Sequence, residues 1–290
     1  MAERVVVAMS GGVDSSVAAA LLADQGYDVI GITLNVWPRT TPAVERVDSC
    51  CSLAAVEDAR RVADRLGIAH YTLNFREAFA RCVIADFVEE YRRGRTPNPC
   101  IRCNEFIKFE SLLHKALELG ARYVATGHYV RVETSDVRHL LRKGIDHGKD
   151  QSYVLYTLTQ EQLAHTLFPL GSLTKVETRR VAQERLLPVA QKPESQEICF
   201  VPDNNYGGFL RDYVPGAAVP GPIVDKDGNQ LGQHQGIICY TIGQRRGLGL
   251  PGPKPWYVVG IDAGENTIVV GHDEDLFADE LVAENVNLIA

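Results

Sequence analysis

No apolar run in this sequence reaches the roughly 20 residues that a membrane-crossing helix needs. No basic segment followed by an apolar core opens the chain either: Met1-Ala2-Glu3-Arg4 leads straight into an apolar stretch. The expected compartment is the cytoplasm, with no membrane partner. Positive charge is scarce. Thirty Lys and Arg face 37 Asp and Glu, a formal net charge of −7. That excludes a polycation, so a nucleic-acid partner must be met by a local basic patch. No Gly-Lys-Ser/Thr stands in the N-terminal Gly-rich loop, which excludes a Walker A site. The Cys-x-x-Cys at Cys100 and Cys103 has no second pair and no His-x-x-x-His to complete a structural zinc site. A zinc half-site remains the structural alternative there. Internal repeats and low-complexity tracts are missing as well.

What is present suits a soluble globular protein: 45% apolar and 23% charged residues over 290 positions, enough for one large domain or two ordinary ones. The first half alternates strand and helix. Strands are expected at Arg4–Met9, Val29–Leu34, Ala69–Leu73 and Tyr123–Thr126. Helices are expected at Ser15–Gln25, Leu53–Leu66, Ala78–Tyr91 and Phe109–Leu119, with Gly26, Gly67 and Gly120 as stops. This predicts an α/β fold, a doubly wound parallel sheet with helices on both faces. Short helices follow at Glu161–Thr166 and Lys175–Glu184. From about Pro215 the pattern becomes a small β-domain, with a hairpin turn at Asp227-Gly228 and strands at Gly236–Thr241, Trp256–Ile261 and Thr267–Val270. The expected division is 1–158, 159–214 and 215–290.

Ser10-Gly11-Gly12-Val13-Asp14-Ser15-Ser16 occupies the first strand–helix turn, where open α/β sheets bind ligands. Gly11 and Gly12 permit close approach of backbone N–H groups to phosphate. Ser15 and Ser16 add hydroxyls at the positive end of the helix. Asp14 is a candidate Mg²⁺ ligand. A Gly-Gly pair alone would read as an ordinary turn. The full string resembles the PP-loop of ATP pyrophosphatases, which split ATP between the α- and β-phosphates and adenylate a substrate. That superfamily includes amide-forming ligases and tRNA-thiolating enzymes, and the loop alone does not choose among them.

The seven cysteines are Cys50, Cys51, Cys82, Cys100, Cys103, Cys199 and Cys239. In a reducing compartment the Cys-x-x-Cys pair reads as redox or metal chemistry rather than a structural disulfide. Cys103 is expected near the start of a helix, and Arg92, Arg93, Arg95, Arg102 and Lys108 surround it in sequence against Glu105 alone; both features favour thiolate. Cys50 and Cys51 are adjacent and read as structural or incidental. Cys82 and Cys239 read as small buried hydrophobes.

With Ser195–Val201 added, the pattern resembles the bacterial tRNA-specific 2-thiouridylase family over the whole chain. The matching stretches are Ser10–Ser16, Gly94–Asn104, Ala125–Arg131, Gly148–Tyr156, Ser195–Val201, His234–Gly249 and Pro255–Val259. The resemblance implies an adenine nucleotide alpha hydrolase-like fold and ATP-dependent 2-thiolation of the tRNA wobble uridine. ATP and Mg²⁺ would be used, and a desulfurase or relay protein would bring sulfur. It implies that Ala8, Met9, Ser10, Gly11, Gly12, Val13, Asp14, Ser15, Leu34 and Gly127 contact ATP, though core packing is a nearly equal reading for Leu34. It places Asn98, Pro99 and Cys100 at the target base and Lys149, Asp150 and Gln151 on tRNA. Cys199 would carry a persulfide, with Cys103 as partner thiol or disulfide partner. His128 reads equally as a phosphate contact or a satisfied buried histidine. Gln244, Arg245 and Arg246 read equally as RNA contacts or a solvated basic turn.

Two departures stand out. Family members often have an aspartate, suggested as general acid/base, where this chain has Cys100. Cys100, Cys103 and Cys199 would then suit an iron–sulfur cluster, the alternative sulfur carrier. The family also usually continues into a final β-barrel, whereas Val286–Ala290 reads as mid-strand. The competing functions are an amide-forming ligase, which would not need Cys103 and Cys199, and a non-catalytic RNA- or metal-binding protein, which would not need the loop.

Overall fold

The computed structural model describes residues 2–37, 53–194, 198–201 and 205–289. Cys50, Cys51 and Ser195-Gln196-Glu197 lie outside the described residues. The chain forms two compact units, Met1–Val83 with Cys100–Phe200 and Asn287–Ala290, and Ile84–Pro99 with Val201–Val286.

The first unit is organised by β1 (Arg4–Ala8). Val5, Val6 and Val7 are all fully buried. Successive strand side chains point to opposite faces, so a strand buried at every position is covered on both sides, as in a parallel sheet. β2 (Asp28–Asn35), β3 (Ala69–Asn74), β4 (Tyr123–Ala125) and β7 (Thr166–Leu167) complete the order β3-β2-β1-β4-β7, every pair parallel. Sheet order reverses beside β1, which is where such sheets open a crevice at their carboxyl ends.

The long helices are α1 (Val13–Asp24) and α2 (Leu53–Leu66). With the helix Lys175–Glu184 they share one core that includes Val5, Val7, Val17, Leu22, Val62 and Ala182. Gly26, at φ +84°, ends α1 while its amide and that of Tyr27 donate back to Ala23 and Leu22. A second cluster gathers Phe109, Val130, Leu155, Leu158 and Leu163.

Three features of this unit differ from the sequence expectation. A helical segment begins at Pro99, ten positions before the expected Phe109. It runs through a π-helical stretch, Cys103–Leu112, into Leu113–Glu118. Proline suits a first helical position because it has no N–H to lose, and wide π turns hide the usual 3.6-residue period. The hairpin β5 (Val130–Ser135) and β6 (Arg138–Lys143) was not anticipated, because its outer residues are exposed and polar. Asn287–Ile289 form no strand; Asn287 instead donates to the carbonyls of Tyr156 at 2.8 Å and Leu158 at 3.2 Å.

The second unit contains a four-stranded sheet ordered β10-β11-β8-β9. The strands are β8 (Gly221–Val224), β9 (Gln230–His234), β10 (Tyr257–Asp262) and β11 (Thr267–Gly271). The Asp227-Gly228 turn joins β8 to β9, with Asp225 Oδ1 accepting from the amides of Asp227 and Asn229. The strand expected at Gly236–Thr241 is instead a 3₁₀ turn, Ile237–Cys239. Gly236 sits at φ +126°, where a Cβ would come 2.7 Å from Ala218 Cα, and its amide donates to His234 Nδ1 at 3.0 Å. Those constraints turn the chain out of β geometry. The helices Ala85–Arg92 and Tyr206–Tyr213 pack together through Phe87 on Phe209 and Tyr91 on Tyr206.

Candidate active site

The phosphate-type loop lies between β1 and α1, as its sequence requires. Gly11 has φ +68°, and a Cβ there would lie 2.2 Å from the Ala55 carbonyl oxygen. Only glycine fits that backbone. Gly12 caps α1 with no side chain, so the first helical N–H groups stay open toward the loop. The two serines behave differently from expectation. Ser15 Oγ accepts from the Ser10 amide at 3.1 Å, and Ser16 Oγ donates to the Gly12 carbonyl at 2.7 Å. Both serines are buried and brace the loop from within. The remaining donors toward a ligand are backbone groups and the half-buried Ser10.

Asp14 holds the outer edge of the loop. Tyr129 Oη donates to its Oδ1 at 2.9 Å, and Lys175 Nζ reaches Oδ1 at 2.7 Å and Oδ2 at 2.8 Å. Burial first, and then the Asp14 charge, push the Tyr129 phenol well above its usual range, so it stays a donor. Lys175 also meets Glu194 at 3.1 Å, and Lys149 donates to Glu194 at 2.7 Å. The Lys149 bond holds the Glu194 carboxyl below its usual range, and the Lys149 ammonium is raised by the same bond. Lys192 reaches the Gly11 carbonyl at 3.1 Å and Asp58 at 2.7 Å. Two lysines therefore reach a loop that contains none, and Lys149 joins them through Glu194. Sequence reading missed Lys175 and Lys192 because they are far away in the chain. One local sign was available: Lys175 is the first residue of its helix, where the helix dipole disfavours a cation.

Gly127 touches the loop itself: a Cβ there would lie 2.7 Å from Asp14 C and Ser15 N. Leu34 is buried at the end of β2, paired with Leu73. Ala8, Met9 and Val13 are also buried, so they shape the loop from behind. His128 is buried between Phe109 and Phe168 and hydrogen-bonds Thr126 at 2.6 Å. Burial, then the Lys108 charge, drive its pKa well down, which matches the satisfied-histidine reading.

Cys103 opens the π-helical stretch and is half-buried; Cys100 is exposed in the preceding helical turn, one position after Pro99. Cys103 is therefore one turn inside the helical run rather than at its start, and the first-turn position belongs to Cys100. The basic surround is also weaker than its sequence count. Arg102 pairs with Glu105 at 2.7 Å, and Arg93 and Arg95 pair with Glu89 and Glu90. Cys199 is half-buried and precedes Phe200, whose ring meets Phe79 at 5.6 Å. The helix Arg76–Phe79 packs on the stretch Cys103–Leu112. Both cysteines thus belong to the unit that contains the loop, and both are thiols.

Among the described residues no three His, Cys, Asp or Glu side chains are grouped to hold a metal ion. Cys100, Cys103 and Cys199 do not form the ready three-thiol site that the iron–sulfur alternative expects. Cys82 and Cys239 are half-buried rather than fully so. Lys149, Asp150 and Gln151 all have internal partners: Glu194 for Lys149, the Gly144 amide and Ser152 for Asp150, the Tyr129 amide for Gln151. Asn98 is exposed and Pro99 is buried.

Residues 3–203 match the family model described as tRNA methyl transferase HUP domain, and residues 207–272 match the tRNA methyl transferase PRC-barrel domain. The tRNA-specific 2-thiouridylase MnmA of Natranaerobius thermophilus is 55% identical over 294 residues, which cover 100% of this chain and 80% of that one. MnmA 2 of Thermoanaerobacter pseudethanolicus is 57% identical over 290 residues, covering 99% and 80%. The Symbiobacterium thermophilum MnmA is 56% identical over 296 residues, covering 100% and 76%.

Proposed function

The chain belongs to the tRNA-specific 2-thiouridylase family, and from that premise we propose how its residues carry out ATP-dependent 2-thiolation of the tRNA wobble uridine. Methyl transfer, the reaction in the family-model descriptions, has no use for the phosphate-type loop or for two cysteines in one unit with it. Thiolation uses both. That pairing, loop with Cys103 and Cys199, is the observation that carries the reading.

The uridine C2 oxygen attacks the ATP α-phosphorus, and pyrophosphate leaves. The oxygen has then become part of a good leaving group, AMP. Open N–H groups at the start of α1 and the backbone of Ser10–Gly12 receive the phosphates. Lys175, Lys149 and Lys192, paired with Asp14, Glu194 and Asp58, would turn from these carboxylates to the phosphates and supply the positive charge that a Walker lysine supplies elsewhere. Asp14 is the carboxylate of the loop and would hold magnesium in exchange for the Lys175 ammonium. Bound there, magnesium would neutralise charge on the phosphate oxygens.

Sulfur then arrives as a persulfide on Cys199, loaded by a sulfur-donor protein. Its outer sulfur bonds to C2, and the Cys103 thiolate bonds to Cys199 Sγ. The persulfide S–S bond breaks, and AMP departs with the C2 oxygen. The two cysteines end as a disulfide, which a thiol reductant resets before the next turnover.

Single-turnover thiolation with nucleoside mass spectrometry tests this reading, with iron measured on the same protein. Iron-free protein is expected to form 2-thiouridine and one AMP per thiolation. Thiolation that requires iron, or AMP release without thiouridine in the wild type, would contradict it. Asp14→Ala is expected to lose AMP formation but still load sulfur.

A further inference from the structure

The second unit contains a cavity of about 780 Å³ that takes no part in adenylation or sulfur transfer as proposed. Its lining includes Tyr91, Thr96, Tyr206, Arg211, Gln244 and Arg246 and, among the described residues, no carboxylate. Among the described residues the hydrogen-bond partners of Arg211 are neutral, Gln235 at 3.5 Å and the Cys239 sulfur at 4.0 Å. Arg246 has no carboxylate partner among the described residues. Burial pushes the Tyr91 phenol up to about 12 and also raises Tyr206 and the Cys239 thiol, so none of these offsets the two guanidiniums. In a chain of net charge −7 this is the kind of local basic site that a nucleic-acid partner requires.

The walls are preorganised for a flat, polar-edged group. Tyr91 and Tyr206 stack at 5.1 Å with 21° between their planes. Tyr206 Oη donates to the Cys239 carbonyl at 3.1 Å and to Gln244 Oε1 at 3.3 Å. Gln244 Nε2 donates to the Arg246 carbonyl at 2.9 Å. Thr96 is tied to Thr241 at 2.9 Å, which pins the segment that continues to Asn98 and Pro99. Two extended residues span about 7 Å, so Asn98 lies within one nucleotide step of the cavity wall.

We propose that this cavity holds one unpaired nucleotide of the substrate tRNA next to the target uridine, its phosphate on Arg211 and Arg246 and its base against Tyr206 and Gln244. The proposal rests on the thiolation reading, which places Asn98 and Pro99 at the target base. Guanidiniums suit phosphate oxygens, and aromatic and amide groups take a base without demanding one identity.

The test compares wild type with Arg211→Gln/Arg246→Gln on substrate tRNA and on two tRNAs, each with one neighbour of the target made abasic. The double variant is expected to raise KM for tRNA about 10-fold, as for loss of one stacked base. Its kcat at saturating tRNA, its KM for ATP and its thermal midpoint should stay unchanged. One abasic tRNA should cost the wild type a similar factor and cost the variant little further, since the base seats against Tyr206 and Gln244 only while its phosphate is held, which couples the two losses. An unchanged KM, or abasic penalties that persist in full in the variant, would overturn the proposal. Should the double variant melt early, the exposed Arg246→Gln alone carries the same comparison. Failure of the wild type to thiolate the intact tRNA would instead refute the thiolation reading.

Discussion

Lys175 Nζ grips both carboxylate oxygens of Asp14, at 2.7 and 2.8 Å, from 161 residues along the chain. The lysine side chain is 11% exposed. A charge-assisted pair of this kind contributes about 1.5–3 kcal/mol. Replacing Lys175 by Met should therefore raise KM for ATP or lower adenylation by roughly 10- to 100-fold. Sulfur loading on Cys199 should persist, and Lys175→Arg should recover part of the loss. Pyrophosphate release and persulfide content, measured on the same samples, check this. Equal loss of both would mean that Lys175 serves only the fold.

Gly127→Ala tests how tightly the loop is set. The new Cβ would press within 2.7 Å of the Asp14 and Ser15 backbone, and backbone atoms cannot swing aside as a side-chain tip can. A displacement of about 1 Å at a reacting site can cost about 10²-fold. Adenylation should fall by that order while tRNA binding stays close to wild type. Gel-shift binding and single-turnover AMP formation separate the two.

The loop, its strand and its helix were legible because each is local: Val5–Val7, the Gly-Gly pair and the Ala-rich α1 sit side by side in the chain. The sheet's parallel class followed from the same alternation. Lys175 and Lys192 were not legible, since nothing in the sequence says which distant lysine returns to the loop. The helical start at Pro99 was hidden by π turns, which break the apolar period. The grouping of Ala85–Arg92 with the helix Tyr206–Tyr213 depends on ring contacts at Tyr206 and Phe209, which local pattern does not encode.

Phe200 should matter to sulfur transfer without touching ATP. Its ring lies 5.6 Å from that of Phe79, which is 1% exposed. Phe200→Ala removes a large buried side chain beside Cys199, at a cost of about 3–5 kcal/mol in stability. Phe200→Leu keeps most of the volume. The Leu variant should retain adenylation and lose more sulfur transfer than its modest drop in thermal midpoint explains. AMP formation against thiouridine yield reads this directly.

Acid should weaken the fold through His128. The folded protein keeps this ring neutral, with its pKa well below 6.5, while the unfolded chain takes up a proton near 6.5. Below that pH the unfolded state binds more protons, so stability falls as pH falls, by at most about 1.4 kcal/mol per unit from this group. His70 and His234, both lowered by burial, act in the same direction. Urea unfolding from pH 7.5 to 5.5 should show the slope, and His128→Asn should flatten it.

In the proposed reaction Cys199 carries the sulfur that replaces the oxygen activated at the loop. The most direct measurement of this transfer is a single turnover with ³⁵S-loaded protein, ATP and tRNA, comparing wild type with Cys199→Ser. Wild type should move label into 2-thiouridine in step with AMP release. Cys199→Ser should bind ATP and adenylate tRNA yet form no thiouridine. Thiouridine formed by Cys199→Ser at the wild-type rate would mean that Cys199 is not the sulfur carrier.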